Sequence, residues 1–154
     1  MYYHIIESPI GPILLAGDEE GLKYVNIRNG KKKVEIPDDW LENKEFFRDV
    51  SGQLGAYFAG ELKSFDVKLA PEGTEFQKSV WKALKEIPYG ETRTYGEVAK
   101  SIGNPKASRA VGLANNRNPI SIIVPCHRVI GANGKLTGYA SGLDVKEFLL
   151  RLEE

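Results

Sequence analysis

At residues 71 to 73 a Pro-Glu-Gly punctuation coincides with a change in hydrophobic period, and this divides the chain into two unlike halves. Before it, apolar residues alternate in short runs: Tyr3 and Ile5, then Ile13 to Ala16, then Leu22, Tyr24, Val25 and Ile27. Ser8 to Pro12 and Gly17 to Gly21 supply the turns, so the spacing predicts strands joined by hairpins. Arg28 to Asp39 is polar and predicts a surface loop. Phe46, Phe47, Val50, Leu54, Tyr57 and Phe58 recur at three- and four-residue steps, which predicts a helix from Leu41 to about Ala59. Phe65, Val67 and Leu69 alternate again, as a closing strand would.

Beyond residue 73 the pattern is helical. Thr74 to Gln77 fits a capping box, and Phe76, Val80, Trp81, Leu84 and Ile87 form one apolar stripe. A second capping box, Thr94 to Glu97, opens a short helix through Ile102. Asn104 and Pro105 fit the cap and first position of a third helix through Arg109, Val111 and Ala114. Two short helices about a glycine-containing turn outline a helix-turn-helix, although many helical hairpins share that outline and bind nothing. Asn118-Pro119 ends the third helix. Ile120 to Val124 predicts an extended run stopped by Pro125, and a glycine-rich loop leads to a last amphipathic helix over 145 to 152. The expected class is α+β: a small β-rich half over 1–71, an antiparallel sheet plus helix, then a winged-helix-like helix-turn-helix and active-site half over 72–154. A chain of 154 residues buries roughly 68–70% of its unfolded surface, enough for one core or two halves sharing an interface.

No apolar run reaches the ~18 residues of a membrane span. The first residues lack the basic, apolar and small-residue regions of a secretory signal, so a cytoplasmic location is expected, nuclear in a eukaryote. One cysteine and two histidines argue against a structural metal site, and no cofactor is expected. Net charge is zero, yet the balance is uneven. Between 93 and 135, Arg93, Lys100, Lys106, Arg109, Arg117, Arg128 and Lys135 stand against Glu97 alone, which suits either a polyanion or a solvated face.

The single cysteine sits in Pro125-Cys126-His127-Arg128. A neighbouring imidazole and guanidinium favour the thiolate, which is the nucleophilic form, and Pro125 suits a constrained turn. The competing reading of a lone cysteine is a small buried hydrophobe. His127 would in addition need a third group to orient it.

Residues 74 to 153 resemble the O6-alkylguanine-DNA alkyltransferases. The resemblance rests on Pro-Cys-His-Arg-Val-Ile at 125 to 130, Tyr95, Ser-Arg-Ala-Val-Gly at 108 to 112, Asn118-Pro119, Tyr139 with Gly142, and Lys-Glu-Phe-Leu-Leu at 146 to 150, all in the family's order. Residues 1 to 71 agree in general character only.

The resemblance implies single-turnover DNA repair, with methyl or larger alkyl groups passing irreversibly from O6 of guanine, less readily O4 of thymine, to Cys126. It implies that His127, oriented by Glu153, takes the thiol proton through a water, that Tyr95 assists guanine departure, and that Asn118 ties the recognition helix to the active-site turn. Arg109 would enter the base stack. Ser108, Ala110, Thr94 and Tyr95 would line the minor groove, and Val129, Tyr139, Ala140 and Ser141 would hold the flipped base. Lys100, Lys106 and Arg128 are candidates for phosphate contacts, with Arg128 alternatively bracing the turn against a carboxylate. The implied partner is double-stranded DNA carrying O6-alkylguanine, bound by a monomer without membrane or obligate protein partner. Ser121 and Ser141 depart from the family's common proline and glycine, which leaves the alkyl pocket's size open. Two rivals remain: a lesion-binding protein that transfers nothing, which Cys126 argues against, and a thiol hydrolase that turns over.

Overall fold

The computed structural model describes residues 1–30 and 32–154. Strands β1 (Tyr2–Ile6), β2 (Ile13–Asp18) and β3 (Gly21–Ile27) form the expected antiparallel hairpins, with Ile5 opposite Leu14 and Leu15 opposite Val25. A two-residue strand β4 (Leu41–Glu42) extends the sheet in the order β3-β2-β1-β4, parallel to β1. The helix expected from Leu41 therefore begins later, at α1 (Arg48–Phe58). The N–H groups of Leu41 and Asn43 donate to the carbonyls of Met1 and Tyr3, and this sheet pairing takes residues 41 to 43 out of any helix.

The closing strand over Phe65 to Leu69 is also corrected. The alternating burial is there, but the ladder reduces to one bridge between Leu22 and Leu69. Gln53 of α1 occupies the backbone of Asp66 instead, donating to its carbonyl at 3.0 Å and accepting its N–H at 2.9 Å.

Both capping boxes form. Thr74 and Gln77 open α2 (Glu75–Lys85), and Thr94 and Glu97 open α3 (Tyr95–Ser101). Gly103, at φ 78°, ends α3 in a Schellman motif: Asn104 N–H donates to the Ala99 carbonyl and Gly103 N–H to that of Lys100. Asn104 does not cap the next helix. Its carbonyl closes a turn onto Ala107 N–H, helical bonding starts at Val111 N–H to the Ala107 carbonyl, and α4 runs Ser108–Asn116. Gly112 of α4 faces the Tyr95 ring of α3, where a Cβ would sit 3.8 Å from it, so the two helices of the motif lie close. Strands β5 (Arg93–Thr94) and β6 (Val129–Ile130) pair in parallel, and α5 (Leu143–Leu152) closes the chain.

A single cluster of buried residues spans both halves. Ile13, Leu15, Val25 and Ile27 of the sheet meet Leu54 and Tyr57 of α1, and the same cluster takes in Val80, Trp81 and Leu84 of α2 and Leu149 of α5. Each such side chain contributes about 1.5–3 kcal/mol by leaving water. Trp81 also donates its indole N–H to the Ala114 carbonyl at 2.9 Å, fixing α2 on α4. Among the described residues no helix is long and apolar enough to cross a membrane.

Candidate active site

The run from Ile120 to Val124 is not a strand, because Asn118 folds it into a tight turn. The Asn118 side-chain amide donates to the carbonyls of Ile120 at 3.2 Å and Val124 at 2.8 Å, and its oxygen accepts Ile120 N–H at 3.0 Å. Ile123 N–H reaches the Ser121 carbonyl and Val124 N–H that of Ile120. Ile122 is held at φ 73°, a conformation that costs a β-branched residue of order 1–3 kcal/mol and persists only when its surroundings over-determine it. Burial of Ile122 and the Asn118 bonds do so here. The turn delivers Cys126 to the start of a short 3₁₀ segment, Cys126–Arg128, in which successive side chains leave the axis about 120° apart.

That divergence corrects the expectation that His127 and Arg128 favour the thiolate of their neighbour. Cys126 is 5% exposed, and burial pushes its thiol up. The opposing influences are the side chains of Asn118 and Tyr139 and the ammonium of Lys146, all of which favour the ionised sulfur. The Tyr139 hydroxyl is buried beside the sulfur without a well-formed hydrogen bond of its own. Lys146 is fully buried, donates to the Thr137 carbonyl at 2.9 Å, lies 6.0 Å from the Tyr139 ring centre, and is lowered by burial to about 8. Asn115 of α4, also buried, donates to the Cys126 carbonyl at 3.4 Å.

His127 and Arg128 converge instead on Glu153. The imidazole Nε2–H donates to Oε2 at 2.7 Å, which leaves Nδ1 as the acceptor, and Nδ1 has no protein partner among the described residues. Burial holds this imidazole below its ordinary pKa, in its neutral form. Arg128 donates from Nε to Oε1 at 2.8 Å, from Nη2 to Oε2 at 3.0 Å and from Nη1 to the Ile87 carbonyl at 2.6 Å. It is 6% exposed, so its place among the DNA contacts falls: the guanidinium braces the turn. Tyr57 and the Gly90 N–H complete the donors around Glu153. Burial opposes ionisation of that carboxyl, but these donors outweigh it and hold the pKa down at about 2.

Acid should weaken the fold accordingly. The Glu153 contribution is complete above the ordinary value of 4.5 and is lost as pH falls toward about 2, because the unfolded carboxyl takes a proton that the folded one refuses. His127, kept neutral, adds a loss that begins nearer 6.5. Urea midpoints should thus decline steadily from neutral to about pH 3, and a flat profile would contradict this network.

Around this centre the other candidate residues fall into two groups. Tyr95 donates to the Thr137 carbonyl at 3.1 Å and so joins the helix-turn-helix to the loop carrying Tyr139, Ala140 and Ser141. Val129 is buried in β6 against Arg93. The amino-terminal half reaches the same loop, since a Cβ on Gly30 would meet the Ser141 Cα at 2.8 Å. Thr94 spends its hydroxyl oxygen on the α3 cap. Ser108, Arg109 and Ala110 form the first turn of α4; Arg109 and Ala110 are exposed, as are Lys100, Lys106, Arg117 and Lys135. Leu113, one turn beyond Arg109, is 62% exposed. Sequence reasoning missed Tyr57, Asn115 and Lys146 as site residues. The signal available for Lys146 was its position between Val145 and Leu149 on the buried stripe of α5.

A buried cysteine aimed by a strained turn, with a histidine–carboxylate couple behind it and an exposed basic helix-turn-helix beside it, defines a DNA-docking protein with a thiol acceptor. Comparison with known proteins narrows the class. Residues 75–154 match the model for the 6-O-methylguanine DNA methyltransferase DNA binding domain, and residues 1–71 that for its ribonuclease-like domain. The chain belongs to the 6-O-methylguanine DNA methyltransferase family. It is 87% identical over 153 residues to the methylated-DNA--protein-cysteine methyltransferase of Methanosarcina acetivorans, covering 99% of this chain and 98% of that one. Identity to the protein of that name in Mycolicibacterium paratuberculosis is 57% over 152 residues, 98% of this chain and 91% of the other. The fold matches the crystal structure of Mycobacterium tuberculosis OGT in complex with DNA at TM-score 0.93 and 54% identity, covering 99% and 92% of the two chains.

Proposed function

We infer that the protein repairs DNA by moving the alkyl group from O6 of guanine, and less readily from O4 of thymine, onto Cys126 in a single irreversible turnover. The observation that carries this reading is the buried His127–Glu153 couple, whose free Nδ1 acceptor belongs to the residue next to the only cysteine of a chain both of whose halves match the methyltransferase family.

The thiol proton passes to His127 Nδ1, relayed by a water, and Glu153 stabilises the imidazolium. The sulfur lone pair attacks the alkyl carbon, the carbon–O6 bond breaks with its electrons going to guanine, and Tyr95 delivers a proton to the departing base. Tyr95 then regains a proton from solvent and His127 releases the thiol proton to solvent, so one proton passes in net from sulfur to guanine. A carbon–sulfur thioether remains. It has no leaving tendency, so each molecule acts once, and the balance calls for no cofactor.

For this chemistry the base must leave the duplex. The exposed first turn of α4 supports a minor-groove approach, with Ser108 and Ala110 small enough for close contact, Thr94 and Tyr95 flanking them, and Arg109 filling the space left by the extruded nucleotide. Val129, Tyr139, Ala140 and Ser141 line the receiving pocket, and Asn118 holds the turn that aims the sulfur. Residues 72–154 form the helix-turn-helix and active-site domain, with the reacting groups and the DNA contacts, while 1–71 form a β-rich amino-terminal domain that shares its core with them. The exposed Lys100 and Lys106 supply salt-sensitive phosphate attraction. The protein acts as a monomer in the cytoplasm.

Incubation with a several-fold molar excess of duplex containing O6-methylguanine, followed by intact-mass measurement of the protein and quantification of demethylated DNA, tests the reading. One methyl group on the Cys126 peptide is expected. Demethylated DNA in molar excess over protein would instead indicate a turnover hydrolase, and bound DNA with unchanged protein mass would indicate a lesion-binding protein.

A further inference from the structure

Tyr57 lies in α1 of the amino-terminal half, 96 residues from Glu153, yet its hydroxyl donates to Glu153 Oε2 at 2.6 Å in the buried interior. The same oxygen accepts from His127 Nε2 and Arg128 Nη2. The Tyr57 ring is fully buried and packs edge-on against Phe58 at 5.4 Å and Tyr89 at 6.3 Å, and at a tilt against Phe65 at 5.5 Å. Packing alone would be served by phenylalanine, which the chain places at the next position. The hydroxyl is what distinguishes this side chain, and it points at the one carboxylate that orients the histidine.

We propose that Tyr57 is a positioning residue for alkyl transfer: its hydroxyl fixes the Glu153 carboxylate on His127 and keeps part of that oxygen's charge from the imidazole, so the amino-terminal half completes the proton relay. The proposal rests on the reading of His127 as the acceptor of the thiol proton. Burial and the neighbouring carboxylate push the Tyr57 hydroxyl far above its ordinary range, so at any working pH it remains a donor. Without it, Oε2 has two donors in place of three and attracts the imidazolium more strongly. His127 would then hold its proton to higher pH, where a protonated ring cannot accept another from Cys126.

Several groups face this carboxylate. His127 and Arg128 approach from the 3₁₀ segment and Tyr57 from α1, with Gly90 N–H at 3.4 Å from Oε1. Tyr89, beside Gly90, donates to the Leu152 carbonyl at 3.3 Å, and its ring centre lies 5.8 Å from the Arg128 guanidinium carbon and 5.6 Å from Lys63 Nζ. Lys146 of α5 and Tyr139 contribute through space to the same cluster. Tyr57→Phe leaves all of these in place.

The experiment measures single-turnover methyl transfer from an O6-methylguanine duplex across pH, with the ¹⁵N-imidazole titration of His127 followed in parallel, for the wild-type protein and Tyr57→Phe. The acid limb of the rate and the His127 titration should both move to higher pH by on the order of half a unit to one unit, with the two rates converging at alkaline pH. On the wild-type acid limb, transfer should fall several-fold. A lowered melting temperature with an unmoved limb and titration would reduce Tyr57 to a structural role and overturn the proposal. Glu153→Gln separates the two levels. If it removes most transfer and Tyr57→Phe has no further effect in its background, the relay through Glu153 stands with Tyr57 in it. If Glu153→Gln transfers at the wild-type rate, the relay reading itself fails and this proposal with it. Should Glu153→Gln not fold, the His127 titration in Tyr57→Phe decides alone.

Discussion

Arg128→Ala is expected to cost the folded state about 3–5 kcal/mol, the range for removing one partner of a buried ion pair. The substitution leaves Glu153 with a buried charge and two of its donors gone, and deprives the Ile87 carbonyl of a 2.6 Å hydrogen bond. Neither loss is repaired by solvent, because the carboxylate and the guanidinium are almost entirely enclosed. Against a total stability of about 5–15 kcal/mol for a single domain, this is a large fraction. At about 2–4 °C per kcal/mol for a chain of this size, the melting temperature should drop by on the order of 10 °C. Arg128→Lys should recover little, since an ammonium cannot reproduce the fork that meets both carboxylate oxygens and the backbone carbonyl together. A thermal melt settles the matter. If Arg128 were a phosphate contact, the melt would be unchanged, and the variant would show instead a reduction of about one in the salt-dependence slope of DNA binding. An unchanged melting temperature would therefore restore Arg128 to the DNA surface.

What could be read from sequence was local. The two capping boxes, the hairpins of β1 to β3 and the glycine-containing turn after α3 are each decided within a few residues, and the structure contains all of them. The elements that were misread are those whose backbone partners come from elsewhere. Leu41 and Asn43 bond to the first strand, Asp66 to a helix side chain, and Val124 to Asn118, so a helical or alternating pattern was overruled by tertiary hydrogen bonds.

The same distinction divides the site. Cys126 and its neighbours stood out because a single cysteine beside histidine and arginine is a rare local pattern. The direction of Arg128 was open, because nothing in a tripeptide shows that its third side chain turns toward a helix 25 residues away. Tyr57 was legible only as one apolar residue of the α1 stripe. Its hydroxyl acquires meaning from Glu153, near the other end of the chain, and no periodicity connects the two. Lys146 lies between these cases: a lysine on the buried stripe of an amphipathic helix contradicts the pattern, and contradictions of that kind concentrate at functional sites.

Cys126→Ala should abolish alkyl transfer completely while leaving the protein folded and bound to DNA. The two consequences follow from different features of the same position. By the proposed mechanism, transfer requires a polarisable nucleophile that can lose a proton to His127 and then form a stable bond to carbon, and alanine offers no lone pair. Folding depends little on the sulfur, which acts structurally as a small buried hydrophobe; its backbone N–H to the Val124 carbonyl and its carbonyl to Asn115 are untouched by the change. The proposed DNA contacts, Arg109 together with Lys100 and Lys106, are exposed on α4 and on the segments around α3 and are unaffected. Cys126→Ser is the more stringent variant, since it nearly keeps the size and keeps an X–H group at the same position, but replaces the thiol by a hydroxyl whose ionisation is far harder in a buried site. It should transfer no detectable methyl group within the time that the wild-type protein needs for completion. Intact mass after incubation with O6-methylguanine duplex reads both variants, and an electrophoretic shift assay with the same duplex reads affinity, expected within a few-fold of wild type. Methyl appearing on either variant, or unmodified guanine appearing in the duplex, would mean that some other group does the chemistry and that Cys126 only fills space.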